Sequence, residues 1–535
     1  AAALSLPALK GRVSRAKLMR YSFAALLIIM TTVTGCTSQA QVPVIPSYAV
    51  SATQDTRLGK GIAQEAKHHA EPSGFRLLSN GLDAFVTRLL LMEAADESLD
   101  VQYYLFHDDV TAKLFTHYLL RAADRGVRVR MLLDDFGHDG QEPLLSALVQ
   151  HPNISVRLFN PFANRAVPYL DFLTSFSRVN RRMHNKSFIA DNQAAIIGGR
   201  NIGNTYFAAD EYTNFSDLDV LGVGDFAPEV SQAFDEYWNH ALSIPVEQFA
   251  RAHPTALNAV REQLVATSKT ERSQAYLARL EAVELVEELK RGTVDLYWAK
   301  SSLVYDNPDK ILNDTSDDTG HMAPALQGLL NEVHSEALIV SPYFIPGKNG
   351  VANFARWVNT GAQVSILTNS LAANDVPVVH AGYAKYRKPL IQAGVNLWEL
   401  QPSGAATKKR QKNKDLPGSS KASLHAKTMI FDRDTMFIGS MNLDPRSVNL
   451  NTEIGVLIYS KPLAEFASEA FLAELPEHAW RLDITKQPQS SEQLIWLDEA
   501  HDPAVVVSRN REPEASRWSR FQAWILSYLP LESML

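Results

Sequence analysis

The chain has one cysteine in 535 residues, Cys36, so no internal disulfide can form and no cysteine-based metal cluster can be built. It has no excess of basic charge. Formal net charge is −7, which argues against nucleic acid as the main partner. It also lacks an apolar run long enough to span a bilayer. The nearest candidate, "FAALLIIMTTV" (23–33), has 11 residues, the length of a signal-peptide core. Hydrophobic content of 46% and charged content of 21% are ordinary for globular protein, and the length suits two or more domains.

What is present begins at the N-terminus. Lys10, Arg12, Arg15, Lys17 and Arg20 precede the apolar run with no acidic residue among them, and "VTGC" closes it at Cys36. This resembles a bacterial lipobox, which implies a signal peptide over 1–35 and lipidation of Cys36. Thr37, where an Asp is absent, fits sorting to the outer membrane, so the expected location is the periplasmic face of that membrane. Met19 is the expected start of translation. Loss of residues 1–35 would move the net charge from −7 to −12. Residues 36–73, polar and carrying Pro43, Pro46 and Pro72, read as a tether.

From residue 74 onward the pattern alternates. "GLDAFVTRLLLMEAA" (81–95) and "TAKLFTHYLLRAADRG" (111–126) have helical periodicity, while "LDVQYYLF" (99–106), "VRVRMLLDD" (127–135) and "ISVRLFNP" (154–161) read as strands. This is βαβ logic and predicts a largely parallel sheet covered on both faces. "ALIVSPYFIP" (337–346), "FARWVNTG", "AQVSILTNS" and "AGVNLWELQP" (393–402) restate the same units. The expected divisions are an N-terminal lobe (74–245), a helical link rich in Glu, Arg and Leu (246–290), a C-terminal lobe (291–485) and a tail (486–535).

The duplication carries a motif. "RMHNKSFIADNQAAIIGGRN" holds His184, Lys186, Asp191 and Asn201, and "LHAKTMIFDRDTMFIGSMN" holds His425, Lys427, Asp432, Ser440 and Asn442, each 241 residues after its counterpart. On a strand, residues i and i+2 share a face, so each His and Lys would project together. An imidazole, an ammonium and a carboxamide suit a phosphodiester: Lys and Asn stabilise charge on the non-bridging oxygens, and neutral His attacks phosphorus. One half lacks an acid for the leaving oxygen. Two facing halves supply it, one His attacking while the other donates a proton. Each imidazole needs a carboxylate to orient it, and Glu453 ("LNTEIGV") and Asp217 ("FSDLDVLGVG") are the candidates, with Asp219 a rival to Asp217. Asp191 and Asp432 are expected to be structural. Lysine is not a metal ligand, so no metal and no cofactor are expected.

The two motifs, with "LDVQYYLFHDD", "RLFNPF", "GGRNIGNTYF", "FSDLDV", "LTNSLAANDVPVVHAGYAKYR" and "DPRSVNLNTE", resemble the phospholipase D superfamily and, within it, C-type bacterial cardiolipin synthases, over about residues 75–535. The resemblance implies two tandem α/β lobes, each a mixed sheet flanked by helices, with one active site at a pseudo-two-fold interface. It implies metal-free transfer through a phosphatidyl-histidine, with phosphatidylglycerol as acceptor and phosphatidylethanolamine or a second phosphatidylglycerol as donor. An accessory partner protein is implied for the C-type branch. Carried over by position, His184, Lys186, Asn201 and Asp217 form one half-site, and His425, Lys427, Ser440, Asn442 and Glu453 the other. Superfamily habit makes His184 the nucleophile; the sequence itself is symmetric on this point. Gly199 stands where the second copy has Ser440, as it does in the C-type branch.

Three further stretches bear on substrate. Lys408, Lys409, Arg410, Lys412, Lys414 and Lys421 could draw anionic head groups to the site, or be a solvated loop. Asn374, Asp375 and His380 could shape a head-group pocket, a structural loop being the equal alternative. Trp518, Phe521, Trp524, Ile525, Tyr528 and Leu529 follow helical spacing and suit a membrane interface, a helix packed on the protein's own core being the alternative. Competing functions are hydrolysis to phosphatidic acid, nuclease action, disfavoured by the acidic charge, and a non-catalytic envelope scaffold.

Overall fold

The apolar runs at 98–105, 128–137 and 154–159 form three parallel strands, and antiparallel strands complete the sheet on both sides. In this computed structural model the described residues are 44–535, apart from 138–139, 166, 168–169, 211–212, 292–293, 331–332, 403–420, 486–491, 502 and 530–535. Cys36, its leader, and Lys408, Lys409, Arg410, Lys412 and Lys414 lie outside them.

The strands of the first lobe are β1 (Ser73–Leu78), β2 (Ser98–Leu105), β3 (Arg128–Gly137), β4 (Ile154–Phe159), β5 (Ser187–Ala190), β6 (Ala194–Gly198), β8 (Asp219–Gly224) and β9 (Ser243–Pro245), with β7 (Thr213–Ser216) apart from the sheet. They lie in the order β9-β4-β3-β2-β5-β6-β8-β1. The second lobe has β10 (Tyr297–Tyr305), β11 (Glu336–Val340), β12 (Gln363–Asn369), β13 (Asn396–Leu400), β14 (Lys421–Leu424), β15 (Thr428–Phe431), β16 (Thr435–Gly439), β17 (Ile454–Tyr459) and β18 (Ala479–Thr485). Its order, β18-β13-β12-β11-β15-β16-β17-β10, repeats the first position by position. Only the three central strands of each lobe are parallel, so the sheets are mixed and the largely parallel expectation is corrected. The residues after each third strand return by hairpins, which a βαβ pattern does not contain.

Helices cover the outer faces for identifiable reasons. The helix Gly81–Ala94 is capped by Asn80 and buries Phe85, Leu89 and Met92. The helix Val110–Asp124 is capped by Asp109 and buries Phe115 and Leu119. The inner faces of the two sheets share one buried cluster, with Ile197 and Val220 from the first lobe and Ile438, Ile454 and Val456 from the second. Strand β10 belongs to both sheets: Tyr297–Ala299 pair with β1, and Lys300–Tyr305 pair with β17.

Three boundaries differ from expectation. Residues 44–73 are docked and do not form a tether. Carbonyls of Ile45 and Ser47 accept from the buried guanidinium groups of Arg157 and Arg130, and Asp235 accepts from Ala49 N–H. Backbone bonds to distant side chains leave no hydrophobic periodicity to read. The helices of the link (Ala256–Ser268, Glu271–Glu281 and Glu284–Arg291) put Leu264, Tyr276 and Leu280 into the first-lobe core. Beyond 485, β19 (Gln493–Asp498) and β20 (Val505–Arg509) extend the second sheet past β18, so the expected tail carries two strands ahead of its helix. Among the described residues no helix is long and apolar enough to cross a membrane.

Asp191 and Asp432 close the turn after β5 and β15, both with positive φ, and their carboxylates accept the backbone N–H groups that open β2 and β11. Asp191 takes Asp96, Glu97 and Ser98 at 2.8–2.9 Å; Asp432 takes His334, Ser335 and Glu336 at 2.7–3.2 Å. Asp191 is fully buried, whereas the His334 and Ser335 amides reach water. Asp191→Ala should therefore cost about 3 kcal/mol, and Asp432→Ala about 1 kcal/mol, by urea unfolding. Equal losses would count against solvent rescue of the second turn.

Candidate active site

The two H-x-K segments do not lie in strand ladders. His184–Lys186 form an extended joint just before β5, and His425–Lys427 a joint between β14 and β15. Each joint is held by the other lobe. His184 N–H donates to Thr452 O at 2.9 Å, and Thr452 N–H donates back to Arg182 O at 3.0 Å. His425 N–H and Ala426 N–H both donate to Ser216 O, at 2.8 and 3.1 Å, continuing a parallel ribbon of β7 with β14. Thr452 and Ser216 immediately precede the two acids.

The acids consequently cross. His184 Nδ1 donates to Glu453 Oε2 at 2.8 Å, and His425 Nδ1 donates to Asp217 Oδ2 at 2.6 Å. This corrects the half-sites as grouped by sequence position: each imidazole is oriented by the carboxylate of the opposite lobe. A carboxylate only accepts, so Nδ1 carries the proton and Nε2 keeps the lone pair for chemistry. Asp219, the rival, lies instead in a buried pair with Arg88 at 2.8 Å, with Arg200 at 3.5 Å.

The lobes solve the same problem with different residues. Ser440 Oγ donates to Glu453, fixing the longer side chain. In the first lobe a Cβ on Gly199 would stand 2.2 Å from Asp217 Oδ1, so the glycine gives the shorter acid its place.

All of these groups are buried, and their charges act on one another. Burial and the two lysines push the His184 imidazole down to about 4. Burial, Lys427 and Lys186 depress His425 as well. Burial lowers Lys186 to about 7 and Lys427 to about 8. Burial alone would raise Glu453 and Asp217, but the facing imidazoles and lysines outweigh it and keep both ionised. At neutral pH the site thus holds two largely neutral imidazoles, two carboxylates, a lysine near its midpoint and a second that is mostly charged. An arriving phosphodiester anion raises the basicity of its surroundings and lets one imidazole hold the proton that a leaving alkoxide needs.

Lys186 Nζ donates to His184 O at 2.5 Å and lies 5.4 Å from the Tyr104 ring; Lys427 Nζ lies 3.0 Å from His425 Nδ1. Asn201 donates to Tyr206 OH at 2.9 Å, and Asn442 Oδ1 has no hydrogen-bond partner among the described residues. The sequence reading missed the aromatic walls. Tyr104 stands edge-on to His184 at 5.1 Å, Tyr206 edge-on to His425 at 5.2 Å, and Phe215 packs on His425 at 5.1 Å. The signal was present, since each sits within a quoted stretch. Asp444 was also missed; burial pushes its carboxyl up to about 7 beside Glu453.

The remaining candidates divide. Asp375 is exposed, accepts from Tyr343 OH at 3.0 Å, and its charge reaches Lys427. Asn374 closes its own turn by accepting Val376 N–H. His380 does not face the site and is corrected as a head-group ligand. It is buried with Arg387 and Glu512, 3.3 Å from Glu512, at the root of the C-terminal helix Arg517–Leu526. That helix carries its aromatic face outward, with Trp518 64% and Trp524 57% exposed. Among the described residues no group of three or more His, Cys, Asp and Glu is placed to hold a metal ion.

Two lobes that pool their imidazoles, lysines and crossed acids in one pocket define an enzyme of the phospholipase D superfamily. The family described as "Cardiolipin synthase, PLD-like domain" matches residues 89–238 and 326–475, and the chain belongs to it. It is 40% identical over 481 residues to Cardiolipin synthase C of Escherichia coli K12, covering 90% of this chain and all of that protein. It is 26% identical over 420 residues to a Cardiolipin synthase A of Pseudomonas putida, covering 76% of this chain and 68% of that one. In fold it resembles the phosphatidylserine synthase of Haemophilus influenzae Rd KW20, with a TM-score of 0.52 at 15% identity over 79% of this chain and 92% of that one.

The charge pattern makes a pH prediction. A nucleophilic imidazole must be neutral, and so is available above about pH 4, whereas the lysines must be charged and lose their protons between about 7 and 8. The kcat/KM profile should rise above about pH 4 as His184 becomes neutral, and fall on the alkaline side, first as His425 loses its proton and then as the lysines lose theirs. Lys186→Arg, which stays charged, should move the alkaline limb upward by about one pH unit on a lowered plateau. An unmoved limb would assign it to another group.

Proposed function

We propose that this enzyme forms cardiolipin by phosphatidyl transfer, with phosphatidylglycerol as acceptor and phosphatidylethanolamine or a second phosphatidylglycerol as donor. The observation that carries the reading is the pair of crossed imidazole–carboxylate contacts, which puts the proton of each imidazole on Nδ1 and keeps its Nε2 lone pair for chemistry. The full-length similarity to a cardiolipin synthase directs it to phospholipid substrates. His184 Nε2 attacks the donor phosphorus while protonated His425 gives its proton to the departing alcohol, leaving a phosphatidyl-histidine. His425, now neutral, takes the proton of the acceptor glycerol hydroxyl. That oxygen attacks phosphorus, the P–N bond breaks, and cardiolipin leaves. Lys186, Lys427, Asn201 and Asn442 stabilise the charge that builds on the non-bridging oxygens.

Purified protein on vesicles of phosphatidylglycerol and phosphatidylethanolamine, read by mass spectrometry, tests this. Cardiolipin with released ethanolamine is expected, with His184→Ala and His425→Ala each lowering the rate at least about 10³-fold. Phosphatidic acid as sole product would instead make the enzyme a hydrolase.

The leader around Cys36 supports a second proposal, that the protein is lipid-anchored at the periplasmic face of the outer membrane. Cells fed a radiolabelled fatty acid should label the protein, and Cys36→Ser should abolish the label. An unlabelled wild-type protein would overturn the anchor.

A further inference from the structure

A path of aromatic rings runs from the first-lobe imidazole to the surface. Tyr104 touches His184 at 5.1 Å and stacks on Phe136 at 6.1 Å, the ring planes 3° apart. Phe136 meets Phe162 at 6.4 Å, Phe162 meets Phe172 at 5.9 Å, and Phe172 meets Phe176 at 6.3 Å. The path ends on two short helices, Asp171–Thr174 and Phe176–Val179. There Val167, Leu170, Leu173 and Phe176 are all exposed, Leu173 at 83%. They recur at every third residue through this segment.

This ridge is anchored. Arg165 pairs with Asp135 and, at 2.8 Å, with Glu142. The Asp171 carboxylate accepts the N–H groups of Ala163 and Asn164, and Arg178 donates to Asn160 at 2.7 Å. Polar contacts therefore face the lobe, and the apolar side chains face away from it. An exposed row of large apolar residues marks an interaction surface.

We infer that this ridge inserts into a phospholipid bilayer and that the packed rings from Phe176 to Tyr104 tie the inserted surface to the wall beside His184. The inference rests on the phospholipid reading of the site. The bilayer is the occupant because the ridge is joined ring by ring to the atom that must meet a phosphodiester whose acyl chains lie in a membrane. Four apolar residues in a row suit hydrocarbon, and the polar staples lie at the level of head groups. Patterns of hydrophobic alternation do not reveal the ridge, because apolar residues at every third position that face outward have no core to match.

Two measurements on the full chain test it. The first compares Leu170→Asp/Leu173→Asp with the unaltered protein on two substrates: vesicles of phosphatidylglycerol and phosphatidylethanolamine, and short-chain phosphatidylglycerol below its micelle concentration. Vesicle turnover should fall at least about tenfold while monomer turnover is unchanged, and Val265→Asp, a distant exposed site, should change neither. Unchanged vesicle turnover, or an equal loss on both substrates, would overturn the inference. If the unaltered protein turns over neither substrate, the phospholipid reading fails first. The second measurement is independent of turnover. In a Cys36→Ser background, Leu173→Cys carrying an environment-sensitive dye should shift to the blue on vesicles and be quenched by lipids brominated on their acyl chains. A dye that stays in water would overturn insertion.

Discussion

Each imidazole of the site is held by a carboxylate that the opposite lobe supplies, and the rest of the architecture depends on that crossing. Glu453 and Asp217 are buried anions, and Lys186 and Lys427 are buried cations. None of the four is tolerable alone, since an uncompensated buried charge costs several kcal/mol. The compensation exists only when both lobes are in register. The ribbon of β7 with β14, the reciprocal bonds of Thr452 with Arg182 and His184, and the apolar cluster between the sheets all serve that register.

The same dependence explains how the site can be both acid and base. Desolvation pushes the imidazoles toward neutrality and the lysines toward deprotonation, while the carboxylates pull the other way. An added negative charge at the site would raise the basicity of the imidazoles and lysines around it.

Much of this was legible in the sequence because chemistry repeated at a fixed offset has few explanations. His184 and His425 meet the two orienting acids in the structure, and Lys186 and Lys427 lie beside their own histidines. What sequence order could not convey was which acid serves which imidazole. Chain proximity favours Asp217 for His184, and only the ribbon and the bridge at Thr452 reverse it. The docked stretch before residue 73 was hidden for a related reason: its bonds are from backbone to distant side chains, which leave no periodic trace. The sheet extension β19–β20 lies beyond the duplicated region, so the repeat gave no template for it. Tyr104 and Tyr206 were passed over because aromatic residues in a strand or turn read as core.

The Gly199–Asp217 pair of one lobe and the Ser440–Glu453 pair of the other are two solutions to the same spacing. A symmetric dimer of identical halves could hold only one of them, since each copy would repeat the other's residues. Joining the halves in one chain releases that constraint, and the two lobes can drift apart in chemistry while remaining alike in shape. The drift must be taken two residues at a time. A serine opposite Asp217 has no room, and a glycine opposite Glu453 leaves the carboxylate without its hydroxyl. The two halves of this chain are therefore coupled pairs of changes away from being interchangeable, and each histidine sits in surroundings that the other lobe does not reproduce.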